Sequence, residues 1–156
     1  MFHVSCSMIN IDQIKQLREE TEVSPTEIKK ALEQSQGDMK KAKELLKVWG
    51  KTLADKKSDR ETKQGTIETY IHSNLKTGVL LDIRCESDFV AKSKEFKNLA
   101  HEICLQIAAM NPEENMSLLS QPWIKDSTKT IKNLIEEAVA KIGEKIEIKR
   151  FTRYEI

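Results

Sequence analysis

Between Val79 and Met110 the chain changes period, and it does so within a few residues. Val79, Leu81, Ile83 and Cys85 alternate with Leu80, Asp82 and Arg84, the pattern of a half-buried strand. Beyond the change, Phe96, Leu99, Ala100, Ile103, Ile107 and Met110 recur at helical spacing, which predicts an amphipathic helix. The octapeptide Cys85–Lys92 is therefore a strand-to-helix junction. Ser87 and Asp88 both suit a helix N-cap, since a short side-chain oxygen accepts from the free N–H groups of a first turn. Phe89 has two readings. If the helix is continuous through Phe96, Phe89 lies on its buried face. If instead Ser93 caps a fresh helix, Lys92-Ser93-Lys94-Glu95 breaks the apolar pattern and a short turn over 88–92 frees Phe89 from the core.

Upstream, residues 9–50 read as three short helices. The first runs from about Ile11 to Glu20. Ser24-Pro25-Thr26-Glu27 opens the second, with Ser24 as cap, Pro25 at the first helical position and Glu27 completing a capping box. Gly37-Asp38 ends that helix and starts the third. Residues 51–64 carry charges of both signs and read as an exposed, partly helical linker. Thr66–His72 alternates as a strand. Residues 73–78 form a turn in which Asn74 and Gly78 are expected to take positive φ, and Val79–Cys85 closes the hairpin.

Downstream, the long helix is expected from about Ser93 to Met110, stopped by Asn111-Pro112. Residues 111–126 read as a loop packed down by Trp123. Thr130 or Ser127 caps a helix that Gly143 ends, and Lys145–Tyr154 gives a third strand. The fold class is α+β, a three-helix domain followed by a three-stranded antiparallel sheet with helices packed on it. The division is 1–8 extension, 9–50 helical domain, 51–64 linker and 65–156 core domain. Met1–Met8 lacks the charged and apolar regions of a signal peptide, and Met8 stands beside Met1 as a possible start.

Chemistry is restricted by what is missing from the pattern. Lys+Arg 26 against Asp+Glu 25 leaves a net charge of +1, which argues against a general nucleic-acid binder. Three cysteines, widely separated and without zinc spacing, read as free thiols of a reducing, cytoplasmic compartment. No apolar run approaches the roughly 18 residues of a membrane span. A Gly-rich phosphate loop and a nucleophile motif are both lacking. No enzyme activity, cofactor or metal is expected, although Cys85 or Cys104 with His72 or His101 is the pairing that an enzyme of α+β class would use.

Glu86-Ser87-Asp88-Phe89-Val90-Ala91-Lys92 resembles the E-T-D-F-V-A signature of the elongation factor Ts family, with Ser87 where the family usually has Thr. Leu17-Arg18-Glu19-Glu20-Thr21 and Lys29-Lys30-Ala31-Leu32 are similar to the family's opening motif, with Glu22 in place of its Gly. Ile142-Gly143-Glu144-Lys145 through Phe151 resembles its I-G-E-N-I-x-I-R-R-F, with Lys145 in place of Asn. The helical pattern of residues 9–50 also resembles a ubiquitin-associated fold.

The resemblance implies a guanine-nucleotide exchange factor that binds the translational GTPase elongation factor Tu in its GDP-bound and nucleotide-free forms. It assigns partner contacts to Asp88 and Phe89, to His72, and to Arg18, Pro25, Thr26 and Lys29 of the helical domain. Long members carry two related cores, whereas this chain has room for one that combines features of both. With Asp88-Phe89 and His72 expected on adjoining loops of one sheet, a homodimer is expected to supply both contacts. The alternative is a ubiquitin-associated binding module fused to an unrelated α+β domain.

Overall fold

The computed structural model describes residues 9–156; the extension and the two candidate starts at Met1 and Met8 lie outside the described residues. By its internal contacts the chain divides into two compact units, one ending at Thr52 and the other running from Leu53 to Ile156.

The first unit holds α1 (Ile11–Thr21), α2 (Pro25–Gln34) and most of α3 (Met39–Lys56). Asn10 caps α1 by accepting from Asp12 N at 3.0 Å, and Gln13 closes the box on Asn10 N. Ser24 caps α2 through Glu27 N, with Pro25 in the first turn. The return bond from Ser24 N to the Glu27 carboxylate is absent among the described residues, so this capping box forms only its first half. Leu17, Val23, Ile28, Ala31, Leu32, Ala42 and Leu46 make the core. Glu22 ends α1 at φ 54 and donates its N–H to Arg18 O at 2.8 Å. The Gly that the family places here suits that left-handed position, because it has no Cβ to clash.

The second unit is built on a sheet of order β1-β2-β5, antiparallel throughout: β1 (Gln64–Ile71), β2 (Thr77–Cys85) and β5 (Glu147–Glu155). Val79, Leu81, Ile83 and Cys85 face inward, where α5 (Lys94–Met110) lies across β1 and β2 and α7 (Ile131–Ile142) packs against α5. Thr130 caps α7 by accepting from Asn133 N at 3.2 Å, and Gly143 ends it at φ 87. The other face of the sheet leaves Ile67, Ile71, Leu80 and Tyr154 exposed.

Three local features differ from the sequence reading. In the hairpin turn the positive φ falls on Leu75 (φ 58), not on Asn74 or Gly78. Asn74 contributes through its side chain instead, accepting from Lys76 N at 2.9 Å, the local bond that suits Asn to turns. The stretch 111–126, expected as a loop packed down by Trp123, is not a plain loop. It contains α6 (Asn115–Ser120) and a small β3–β4 pair, Pro122–Trp123 with Asp126–Thr130. Leu118 is its fully buried contact, and the half-buried Trp123 packs against the same core, as expected. Buried Gln106 holds the segment by donating to Pro122 O at 3.0 Å and accepting from Ile124 N at 2.9 Å. Such elements are too short to show a period.

The polar stretch 51–64 is helical to Lys56 and then tethered to the sheet unit. Lys57 donates to Gly143 O, Lys145 Nζ donates to Ser58 O and Arg60 O, and Thr62 donates to Glu147 at 2.8 Å. The Lys57 ammonium, the Thr62 hydroxyl and the carbonyls of Ser58 and Arg60 are thus partners of specific groups on the loop and strand that follow α7.

Candidate functional site

The junction after β2 resolves the two readings of Phe89. A short α4 (Asp88–Ala91) follows β2, and α5 begins afresh at Lys94. Ser93 caps it by accepting from Phe96 N at 3.2 Å. Phe96 is fully buried, while Phe89 is 85% exposed. Its neighbours Val90 and Ala91 are buried and pin the inner side of the turn. An aromatic ring therefore stands in solvent on a support that is itself part of the core. Asp88, also exposed, accepts from Lys92 Nζ at 2.6 Å.

The turn is held from several sides. Ser87 Oγ accepts from Val90 N at 3.3 Å, capping α4. The carboxylate of Glu144, just past the end of α7, accepts from Ser87 Oγ at 2.6 Å, from Ser87 N at 3.0 Å and from Glu86 N at 3.2 Å. Glu86 accepts in return from Lys145 N at 2.7 Å and from the Arg60 guanidinium at 3.3 Å. In the sequence Glu86 and Glu144 are letters of two separate motifs, and nothing in their spacing pairs them. The two loops are 58 residues apart, and only the tertiary fold brings them together. Burial, with the Glu144 charge second, pushes the adjacent Cys85 thiol up to about 11. Burial also pushes the Cys104 thiol up to about 12. Both cysteines are poor nucleophiles near neutral pH.

His72 follows β1 and is exposed; its Nδ1 lies 3.0 Å from the Tyr70 hydroxyl. The pairing of Ile71 with Gly78 and Gln64 with Cys85 puts His72 at one end of the hairpin and Asp88-Phe89 at the other. Seven strand steps make that separation roughly 23 Å. The expectation of adjoining loops is thus corrected: an antiparallel register sends the turn and the strand exit to opposite ends. In the helical unit Arg18, Pro25, Thr26 and Lys29 are all exposed. Pro25 and Lys29, four apart on α2, share one helix face.

Among the described residues no His, Cys, Asp or Glu cluster is placed to hold a metal ion. None of the described helices is long and apolar enough to cross a membrane. The arrangement offers a protruding aromatic and carboxylate on a braced turn, which is the equipment of a protein-binding surface.

Comparison with known proteins agrees with both ends of the chain. The family model described as elongation factor TS matches residues 10–113 and again 86–156. A relative named elongation factor Ts from Rubrobacter xylanophilus is 38% identical over 191 positions, covering 94% of this chain and 98% of the relative. The proteins of that name from Thermotoga maritima and Thermodesulfovibrio yellowstonii are 39% and 38% identical, each over 95% of this chain and 96% of their own length. The alignments run longer than the 156 residues here, so these relatives carry positions with no counterpart in this chain.

Proposed function

This chain belongs to the elongation factor Ts family of translation elongation factors, and from that membership we propose that it is a guanine-nucleotide exchange factor for elongation factor Tu, acting in the cytoplasm by protein–protein contact. The observation that carries the reading is Phe89, 85% exposed on a turn whose neighbouring residues are buried. A large apolar ring held in water by a rigid support is matched to a groove on a partner. Its full burial there is favourable by roughly 1.5–3 kcal/mol, enough to offset local strain in the GTPase.

The mechanism is linkage. GDP is held in such GTPases by a phosphate cradle and Mg²⁺. A factor that favours a form holding GDP poorly is itself bound less tightly when GDP is present, by the same factor. The factor opens a faster route through a ternary complex and leaves the final balance of GDP and GTP unchanged. Phe89 is the wedge, Asp88 the polar contact beside it, and His72 a second contact. Arg18, Pro25, Thr26 and Lys29 give the helical unit a separate grip that adds affinity. The ubiquitin-associated alternative leaves the match over residues 86–156 without a role.

The active species we propose is a homodimer. Two observations support it. The family matches overlap over residues 86–113, as expected of one core that combines features of two. The outer face of the sheet leaves Ile67, Ile71, Leu80 and Tyr154 exposed, a face suited to covering by a second copy.

The test is release of labelled GDP from elongation factor Tu. The chain should accelerate it, and Phe89→Ala should remove most of the acceleration while the protein stays folded. An unchanged release rate with the natural chain would sink the proposal.

A further inference from the structure

We infer that Glu144 is a positioning residue for exchange, fixing the turn that presents Asp88 and Phe89 by gripping the main chain just ahead of them. The inference rests on the exchange reading above and extends it to a loop that has no contact role there.

The grip is reciprocal. Glu144 takes two main-chain N–H groups and the Ser87 hydroxyl on one carboxylate. Glu86 takes the N–H of Lys145. Each loop thus clamps the backbone of the other with a charge, and charge-assisted bonds of this kind are the stronger class. The Ser87 hydroxyl has its proton directed to Glu144 at 2.6 Å and its lone pair directed to Val90 N. A hydroxyl that donates to a carboxylate becomes a better acceptor, so Glu144 strengthens the cap that starts α4. Gly143, at φ 87, reverses the chain between α7 and the clamp. Arg60 and Lys145 Nζ extend the network to the segment after α3.

A brace that only stabilised the fold would serve as well almost anywhere on the core. This one ends on the peptide groups directly preceding the two exposed residues. Without it, Val90 and Ala91 still hold the inner side of α4, but the entry to the turn loses three of its hydrogen bonds. Phe89 then samples orientations that do not match the partner groove. Where a step depends on the placement of one group, misplacement by about 1 Å can lower a chemical rate by roughly a hundredfold; by the same geometric argument a partial loosening of Phe89 should show in release rate before it shows in stability.

The experiment measures GDP release from elongation factor Tu with the full chain and three variants. Glu144→Ala should lower the saturating release rate about tenfold, with a smaller change in the concentration giving half-saturation. Glu144→Gln should recover part of the rate, because its carbonyl still accepts from the two N–H groups, whereas its NH2 donates to Ser87 in place of the reverse bond and no longer strengthens the cap. Placed on a chain carrying both Asp88→Ala and Phe89→Ala, Glu144→Ala should change the residual rate by less than about twofold, since residues acting through one another are not additive. Full activity of Glu144→Ala, or an equal fold-loss with and without Asp88 and Phe89, overturns the inference. If Glu144→Ala melts below the assay temperature, Ser87→Ala takes its place in the same pair of backgrounds. Failure of the exchange reading is separable. A natural chain that does not stimulate release removes that reading, while amide hydrogen exchange at Ser87 and Val90 still judges the clamp. Unchanged protection of both amides in Glu144→Ala overturns the clamp, and lost protection supports it.

Discussion

Phe89 and Phe96 are the same residue type seven positions apart, and they have opposite fates. Ser93 decides between them. By capping α5 it forces a break after Lys92, and the break turns Phe89 outward while Phe96 remains fully buried. Phe89→Ala should therefore change stability by no more than about 0.5 kcal/mol, the range of ordinary surface substitutions, against about 3–5 kcal/mol had it been core. Urea unfolding beside the GDP-release assay checks both halves. Asp82 is the contrasting charged residue. It is buried on the outer face of the sheet, 2.5 Å from Arg84 Nε and 3.7 Å from Arg150 Nε. The hydrogen bond from Arg84, with its charge and that of Arg150, holds the Asp82 carboxyl below its ordinary value. A lowered carboxylate stabilises the fold above its unfolded pKa of about 3.9, and that contribution is lost as pH falls through the lower folded value. Asp82→Asn should cost about 1–3 kcal/mol at neutral pH. The gap to the natural chain should narrow below about pH 4, as followed by thermal melts across pH.

At the scale of elements, caps account for most of the boundaries, and one cap works against the chain. Glu22 closes α1 in the left-handed conformation, where a Cβ costs roughly 1–2 kcal/mol. Glu22→Gly should raise the stability of the helical unit by about 1 kcal/mol, visible as a higher melting temperature of that unit. A decrease would mean that the Glu22 side chain contributes more than its backbone strain costs. The segment between α3 and β1 shows why a charge run resists reading. Its Lys57, Arg60 and Thr62 look solvated in sequence, yet each has a partner on or beside the loops that flank α7 and β2.

For the whole molecule these tethers set where the chain can be cut. A chain beginning at Leu53 keeps Lys57, Arg60 and Thr62, and should fold and still stimulate exchange at high concentration. One beginning at Gln64 should be less stable, with the loss read by urea unfolding. Complete loss of stimulation at saturation by the folded longer fragment would count against a helical unit that adds affinity alone. The sheet's outer face carries the assembly prediction. Leu80→Glu places a charge among Ile67, Ile71 and Tyr154 and should convert a dimer to monomer by sedimentation equilibrium. If the natural chain is already monomeric at working concentration and fully active in a one-to-one complex, the homodimer is excluded.

Periodicity is enough for the α+β class, the long helices, the hairpin and the third strand. The helices and strands each have a hydrophobic period long enough to count, and the helices also have capping residues whose effect is local. Glu86–Lys92 was legible as a junction for the same reason. Three things were decided only by tertiary structure. The order β1-β2-β5 set the third strand beside β2 rather than β1, because pairing between strands far apart in the chain is a long-range choice. The α6 and β3–β4 segment took its form from buried Leu118 and Gln106, since elements of two to six residues have no period of their own. The clamp between Glu86 and Glu144 joined loops far apart in the chain. A carboxylate's partner is set by which main-chain donors the packed helices and strands leave unpaired beside it, and no spacing in the sequence encodes that.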